Sequence, residues 1–341
     1  MPTKIIATIW KKPFDTEKVT SIIHSGADIV RLKCSHMSLP ELAVAVQQTK
    51  DLIVSLGTDT KILADLPEAK IRLGELETQK ELAEKGNRYT LRSCASSPTI
   101  QSVIPIAIDA VGTILHVGQS IVVGDGSVFF RVVEIVDDST VQVEAENTGL
   151  VIRCAGVTFP DASPKEHLTD ETWEMIRLLV PIKPEYLAFS FVESADMMRR
   201  IKARVKEIAG DTWSPLIVAK IESKSGVINA KEIAQEADAL MVARGDLALA
   251  IPIATLPRTQ RMLCETAREC GIPSIVATNI LDSMENSPLP SRADVGDLTG
   301  IIRDGADYAM LCRSTAHTEN PGAVVKMAKE IILDLSGGDS T

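Results

Sequence analysis

Residues 215–227 read PLIVAKIESKSGV. From Leu216 to Ile221 every residue is apolar except Lys220, the mark of a strand buried on both faces, as in a parallel sheet. The run ends by placing Lys220 and Glu222 two positions apart, and alternate residues of a strand share a face. An ammonium and a carboxylate therefore project together from the C-terminal end of this strand, the end at which parallel α/β folds bind their ligands.

Similar short, β-branched runs lie on both sides of it. They predict strands at 4–9 (KIIATI), 27–32 (ADIVRL), 61–66 (KILADL), 186–191 (YLAFSF), 239–244 (ALMVAR), 273–278 (PSIVAT) and 307–312 (DYAMLC). Amphipathic stretches such as 194–209, 256–270 and 322–335 lie between them. With 215–221 this gives eight strand–helix units, the number that closes a TIM (β/α)8 barrel. A doubly wound open sheet also alternates in this way, but even spacing favours closure.

Between Leu73 and Val157 the rhythm turns β-only. Residues 120–136 alternate around Val123-Gly-Asp-Gly126, a tight hairpin signal, and 140–145 and 149–153 also read as strands. The expected organisation is a barrel formed by 1–72 and 158–341, with 73–157 inserted after the third strand as a small β-barrel-like domain. An insertion at that point would rise from the active-site face as a lid, hinged near Gly74 and Gly156. The tail SGGDST reads as frayed.

The chain has 341 residues, is 45% hydrophobic and carries a net charge of −10, which argues against general binding of nucleic acid or anionic membrane. No apolar run reaches the roughly 18 residues of a membrane span. The N-terminus is too quickly polar for a signal peptide. Six scattered cysteines without a Cys-x-x-Cys pair speak against zinc or dithiol chemistry and suit a reducing compartment, so the expected location is cytoplasmic. Composition leaves assembly into a homo-oligomer open.

If the barrel is right, the polar residues at its strand ends converge on one mouth. These are Arg31, Lys33, Ser35 and His36; Asp65, Lys70 and Arg72; Ser190; Lys220 and Glu222; Arg244, Gly245 and Asp246; Thr278; and Arg313. Taken singly, a strand-end Asp or Ser is more often a turn former and His36 more often structural. Together they are costly to bury without a purpose. Glu222 and Asp246 follow adjacent strands, and Mg²⁺ or Mn²⁺ takes one or two carboxylates while leaving positions to substrate oxygens. Lys220 and Arg31 beside such a metal suit a highly anionic substrate, and Gly245 allows backbone N–H groups close approach to an acid group. The pattern points to stabilising enolate or phosphoryl charge. There is no P-loop or dinucleotide fingerprint.

The segments IVAKIESKSGV, LMVARGDLALAIP, VATNILDSM, PLPSRADVGDLTGIIRDGADYAMLCRSTA, VRLKCSHM and ADLPEAKIRLG resemble, in kind and spacing, signature segments of the pyruvate kinase family. The resemblance covers nearly the whole chain and implies the barrel with an inserted β lid. It implies that Glu222 and Asp246 hold a divalent metal and that Lys220 stabilises the transferring phosphoryl group and the enolate. Thr278 would position the substrate or the protonating water, and Arg31 would contact phosphoryl oxygens. Ser190 would support the site, Arg244, Gly245 and Asp246 would meet the substrate acid, and Arg72 would lie near the nucleotide phosphates. The implied partners are phosphoenolpyruvate or pyruvate with ADP or ATP.

The chain also departs from the family pattern. TIGPAS appears as Thr8-Ile-Trp-Lys-Lys-Pro13, KKGVNLP as Cys154-Ala-Gly-Val-Thr-Phe-Pro160, GETA as Arg313-Ser-Thr-Ala316, and GVE as Ala248-Leu-Ala250. It reads as a divergent member lacking the C-terminal regulatory domain. The metal and enolate half keeps its residue types, whereas the nucleotide half is altered. Lys33 stands at a K⁺-ligand position and Lys70 where K⁺-independent members carry lysine, so K⁺ is expected not to be required. The altered half leaves two alternatives to a phosphotransferase: a metal-dependent aldolase or decarboxylase of an α-keto acid, or a non-catalytic binding homologue.

Overall fold

The computed structural model describes residues 2–9, 14–67, 70–94, 102–162 and 168–337. The altered segment at 10–13, the tail at 338–341 and the side chain of His36 lie outside this description. The chain divides into two compact units, one of Met1–Glu68, Leu168–Leu247 and Ala254–Thr341, the other of Ala69–His167 and Ala248–Ile253.

The first unit is a closed barrel of eight parallel strands, paired in chain order with the eighth returning to the first. The strands are Lys4–Ile9, Ile29–Lys33, Lys61–Asp65, Tyr186–Phe189, Leu216–Ile221, Ala239–Ala243, Ser274–Ala277 and Tyr308–Leu311. The expected closure is thus found. Helices alternate with the strands and begin where side chains can take orphan N–H groups. Asp15 accepts from Lys18 N–H ahead of Thr16–His24, Ser194 accepts from Met197 N–H ahead of Ala195–Ala209, and Ser291 with Asp294 forms a capping box ahead of Arg292–Arg303.

A central apolar cluster takes residues from all eight strands, including Ile6, Ile29, Leu63, Ala188, Val218, Met241, Ile275 and Met310. Because strands alternate faces, the residues two positions further along point into the same interior. From Ile6, Ile29, Leu63, Ala188, Val218 and Met310 this step leads to Thr8, Arg31, Asp65, Ser190, Lys220 and Cys312. The apolar interior is therefore capped by a polar layer at its C-terminal end.

The second unit has its own apolar core, built on residues such as Ile106, Val128, Phe130, Val141 and Val143. Its six-stranded sheet runs in the order Val157–Thr158, Ser120–Val123, Val128–Asp137, Thr140–Ala145, Arg88–Ser93, Val103–Ile106. The hairpin at 120–137 turns through Gly124 and Gly126, both at positive φ, where a side chain is strained. A separate ladder pairs Lys80–Ala83 with Gly149–Ile152. Among the described residues, no helix is long and apolar enough to cross a membrane.

Candidate active site

The polar layer at the barrel mouth is a connected charge network. Arg31 is buried on the second strand. Its Nε and Nη2 donate to Asp65 Oδ2 at 2.8 and 2.5 Å, and its Nη1 donates to Thr8 Oγ1 at 3.0 Å. Asp65 Oδ1 lies 3.1 Å from Lys220 Nζ. The same ammonium donates to Ser190 Oγ at 2.5 Å and lies 3.3 Å from Glu222 Oε1. Glu222 Oε2 accepts from Phe191 N–H at 2.9 Å. Arg31, Asp65, Ser190, Lys220 and Glu222 are each less than 9% exposed, so these contacts act where water screens little.

Burial opposes charge on Asp65, but Lys220 and Arg31 outweigh it and hold the carboxyl below its ordinary range. Burial likewise works against Arg31, and Asp65 more than compensates, raising its pKa. Lys33 follows at the strand end, in register with Asp65 on the neighbouring strand. Burial first, then Arg31 and Lys220, lowers its pKa from the ordinary lysine value, with Asp65 opposing.

Glu222 and Asp246 supply hard oxygen donors. Glu222 is buried and oriented by the Phe191 amide, and Asp246 lies half-buried in the first turn of Arg244–Ala250. Two carboxylates from successive strand ends fit the donor set of Mg²⁺ or Mn²⁺, which fill their remaining positions with water and substrate oxygens. Among the described residues, no group of three or more His, Cys, Asp or Glu is arranged for a metal. The six cysteines are free thiols.

At the seventh strand the chain leaves regular geometry. Thr278 has φ +78° and Asn279 φ +57°. Arg244, expected to meet substrate, spends its donors on the protein itself. Its Nε and Nη2 donate to the Thr278 carbonyl at 3.1 and 2.5 Å, and Nη1 and Nη2 meet Asp297 Oδ1 and Oδ2 at 2.7 and 2.8 Å. Further bonds reach the carbonyls of Ala277 and Asn279 and Gln260 Oε1, each at 3.3 Å. A guanidinium has five N–H groups, and these partners engage all its nitrogens. Gly245 beside it is exposed, and a Cβ there would meet Thr278 Cγ2 at 3.3 Å.

Lys70 and Arg72 belong to the β unit. Arg72 forms an antiparallel bridge with Gly156 and donates to the Cys154 carbonyl at 3.4 Å, while the Lys70 stem lies against Gly156. Arg313, at the eighth strand end, is largely exposed and pairs with Glu285 at 3.1 Å. The structure thus brings Arg31, Ser190, Lys220 and Glu222 into one bonded network through Asp65. Thr8 and Asp297 were missed by sequence reasoning. Thr8 was within reach, because it stands two residues after interior Ile6. Asp297 lies on a distant helix, and nothing local marks it.

The family model of the pyruvate kinase barrel domain matches residues 1–325. The pyruvate kinase of Thermococcus litoralis is 31% identical over 330 residues, covering 96% of this chain and 68% of that protein. The pyruvate kinase of Methanocaldococcus jannaschii is 34% identical over 268 residues, covering 78% of this chain and 56% of that protein. A solved pyruvate kinase from Cryptosporidium parvum superposes with a TM-score of 0.93 at 24% identity, covering 99% of this chain and 70% of that one, a likeness of fold. Among such curated relatives the chain spans from 56% to 70% of their length. A matched barrel-domain model across nearly the whole chain, in a barrel whose mouth carries this buried charge network, gives one conclusion: the chain belongs to the pyruvate kinase family.

Proposed function

We propose that this protein transfers the phosphoryl group of phosphoenolpyruvate to a nucleoside diphosphate, giving pyruvate and the triphosphate. The observation that carries the reading is the Lys220 ammonium, buried between Asp65 and Glu222 and bonded to Ser190 at the barrel mouth. An ammonium placed there offers an anionic substrate positive charge that water does not dissipate. The reaction needs such a charge. A β-phosphate oxygen of the nucleotide attacks phosphorus, the bond from phosphorus to the enol oxygen breaks, and the electron pair stays on pyruvate enolate. Carbon 3 of the enolate then takes a proton.

Lys220 neutralises charge on the phosphoryl and enolate oxygens, and Ser190 fixes its rotamer. Arg31, aimed by Asp65, offers charge to the phosphoryl group. Gly245 leaves backbone open to the substrate carboxylate. The Thr278 hydroxyl positions the proton donor at carbon 3. Glu222 and Asp246 would hold Mg²⁺ or Mn²⁺, which would supply Lewis-acid charge to the substrate oxygens when bound. Lys33 supplies a fixed cation beside Asp65, and the reaction proceeds without K⁺.

A cavity of about 490 Å³ opens between helices Thr16–His24 and Leu39–Ser55, beside the end of the first strand. Its walls include Ile9, Phe14, Val19, Ile22, Val44 and Ala45. A concave, mainly apolar site of this volume suits a flat organic ring, and we assign the nucleobase to it. The test is nucleotide-dependent turnover of phosphoenolpyruvate with Mg²⁺ present. Pyruvate released without triphosphate would favour a lyase-like or hydrolytic use of the same mouth.

A further inference from the structure

We infer that Arg244 is a positioning residue that acts through Thr278, holding the turn after the seventh strand so that the Thr278 hydroxyl faces the mouth. Three consecutive carbonyls, those of Ala277, Thr278 and Asn279, turn toward this one guanidinium. Successive carbonyls of an extended strand point to opposite sides, so this convergence requires the chain to leave β geometry. It does so at φ +78° and +57°. Positive φ is rare for any residue with a Cβ and an outlier for a β-branched one such as Thr278. Strain of this kind persists only where surrounding contacts over-determine it, and it gathers at functional sites.

The surrounding contacts are visible. Arg244 is 9% exposed, and its fork is locked from behind by Asp297 on the helix Arg292–Arg303. That carboxylate neutralises the cation, so the guanidinium has neither open donors nor uncompensated charge for a ligand. From the other side, Gly245 presents no side chain to the Thr278 methyl, which lies 3.3 Å from where a Cβ would sit. Neighbouring residues 244 and 245 thus govern one threonine, the first through its carbonyl and the second through its side chain. A lysine at 244 would keep the charge opposite Asp297 but could not fork across the carbonyls.

The kinetic arm rests on the proposed phosphotransfer; the structural arm does not. In steady-state assays with phosphoenolpyruvate, ADP and Mg²⁺, Arg244→Lys should lower kcat about a hundredfold, the scale of a small misplacement of a reacting group. KM for phosphoenolpyruvate should change less than about threefold. Added to Thr278→Ala, Arg244→Lys should cost almost nothing more, because a residue acting through another is non-additive with it. A raised KM with kcat intact would place Arg244 on the substrate, and additive losses would make its role independent of Thr278; either overturns the proposal. A crystal structure of Arg244→Lys should show Thr278 returned to negative φ, and an unchanged positive φ overturns the proposal even if the wild type turns over no phosphoenolpyruvate. Absent wild-type turnover sinks the functional reading alone. If Arg244→Lys does not fold, Asp297→Asn, which loosens the fork and keeps the arginine, should give the same kcat-selective loss and non-additivity in smaller measure; an unchanged kcat in that variant counts against the proposal.

Discussion

Lys220 Nζ lies 3.1 Å from Asp65 Oδ1, and the other oxygen of the same carboxylate takes two N–H groups of Arg31. One buried anion thus holds two buried cations apart. Removing it leaves an ammonium and a guanidinium facing each other in a site with little water. Asp65→Asn is expected to destabilise the protein by about 3–5 kcal/mol, the usual cost of breaking a buried pair from one side. Urea denaturation measures this, and added phosphate should recover part of the loss. A change below about 1 kcal/mol would mean that the network relaxes freely.

The same carboxylate gives stability a pH dependence of known sign. Its folded pKa is held below the unfolded value of about 3.9. Its contribution is therefore complete above the unfolded value and is lost as pH falls through the folded one. Wild type should lose a stabilising contribution under acid that Asp65→Asn no longer has. Denaturation midpoints compared between neutral and strongly acidic buffer should converge.

Lys33 should set an alkaline limb in K⁺-free turnover. Its pKa is lowered by burial and by Arg31 and Lys220, so it sheds its proton before an ordinary lysine does. Above that pKa the fixed cation is gone, turnover should fall, and added K⁺ should begin to restore it. Lys33→Arg should move the limb upward, because a guanidinium stays charged. Rates in tetramethylammonium, sodium and potassium buffers at equal ionic strength decide it. Strong K⁺ stimulation already at neutral pH would contradict the role given to Lys33.

Glu222→Gln should weaken Mg²⁺ binding about tenfold or more, equivalent to about 1.4 kcal/mol. The amide carries no charge, and in either orientation its NH2 meets a donor, the Lys220 ammonium 3.3 Å from the native Oε1 or the Phe191 N–H 2.9 Å from the native Oε2. Calorimetric titration with Mg²⁺ reads this without any turnover. Equal affinity in wild type and variant would remove Glu222 from the metal site.

Gly245→Ala should reduce kcat about tenfold while the protein stays folded, again through displacement of a reacting group. The new methyl would meet Thr278 Cγ2 at 3.3 Å, and Thr278 cannot retreat easily while Arg244 holds its carbonyl. Thermal unfolding close to wild type alongside the lost turnover is the expected pair of results.

The barrel was legible because its strands are short apolar runs whose interior register carries straight through to the polar layer. Val218 predicts Lys220, and Ile29 predicts Arg31, by a period of two alone. The β unit was only half legible. Its hairpin at 120–137 announces itself through Gly124 and Gly126, whereas Lys80–Ala83, KELA, has helix-favouring residues and becomes a strand by pairing with Gly149–Ile152. Arg244 marks the limit at the site. Sequence placed it correctly at a strand end, but the partner that occupies its fork, Asp297, lies 53 positions later on another helix.

The central claim is that the mouth around Lys220 moves a phosphoryl group from phosphoenolpyruvate to a nucleotide. Phosphorus NMR of phosphoenolpyruvate, ADP and Mg²⁺ with the purified protein follows the donor and both possible fates of the phosphoryl group at once. Loss of the phosphoenolpyruvate signal matched by growth of the ATP γ-phosphate signal, abolished in Lys220→Met, is the predicted result. An unchanged phosphoenolpyruvate signal, or its conversion to free phosphate with ADP untouched, would contradict the claim.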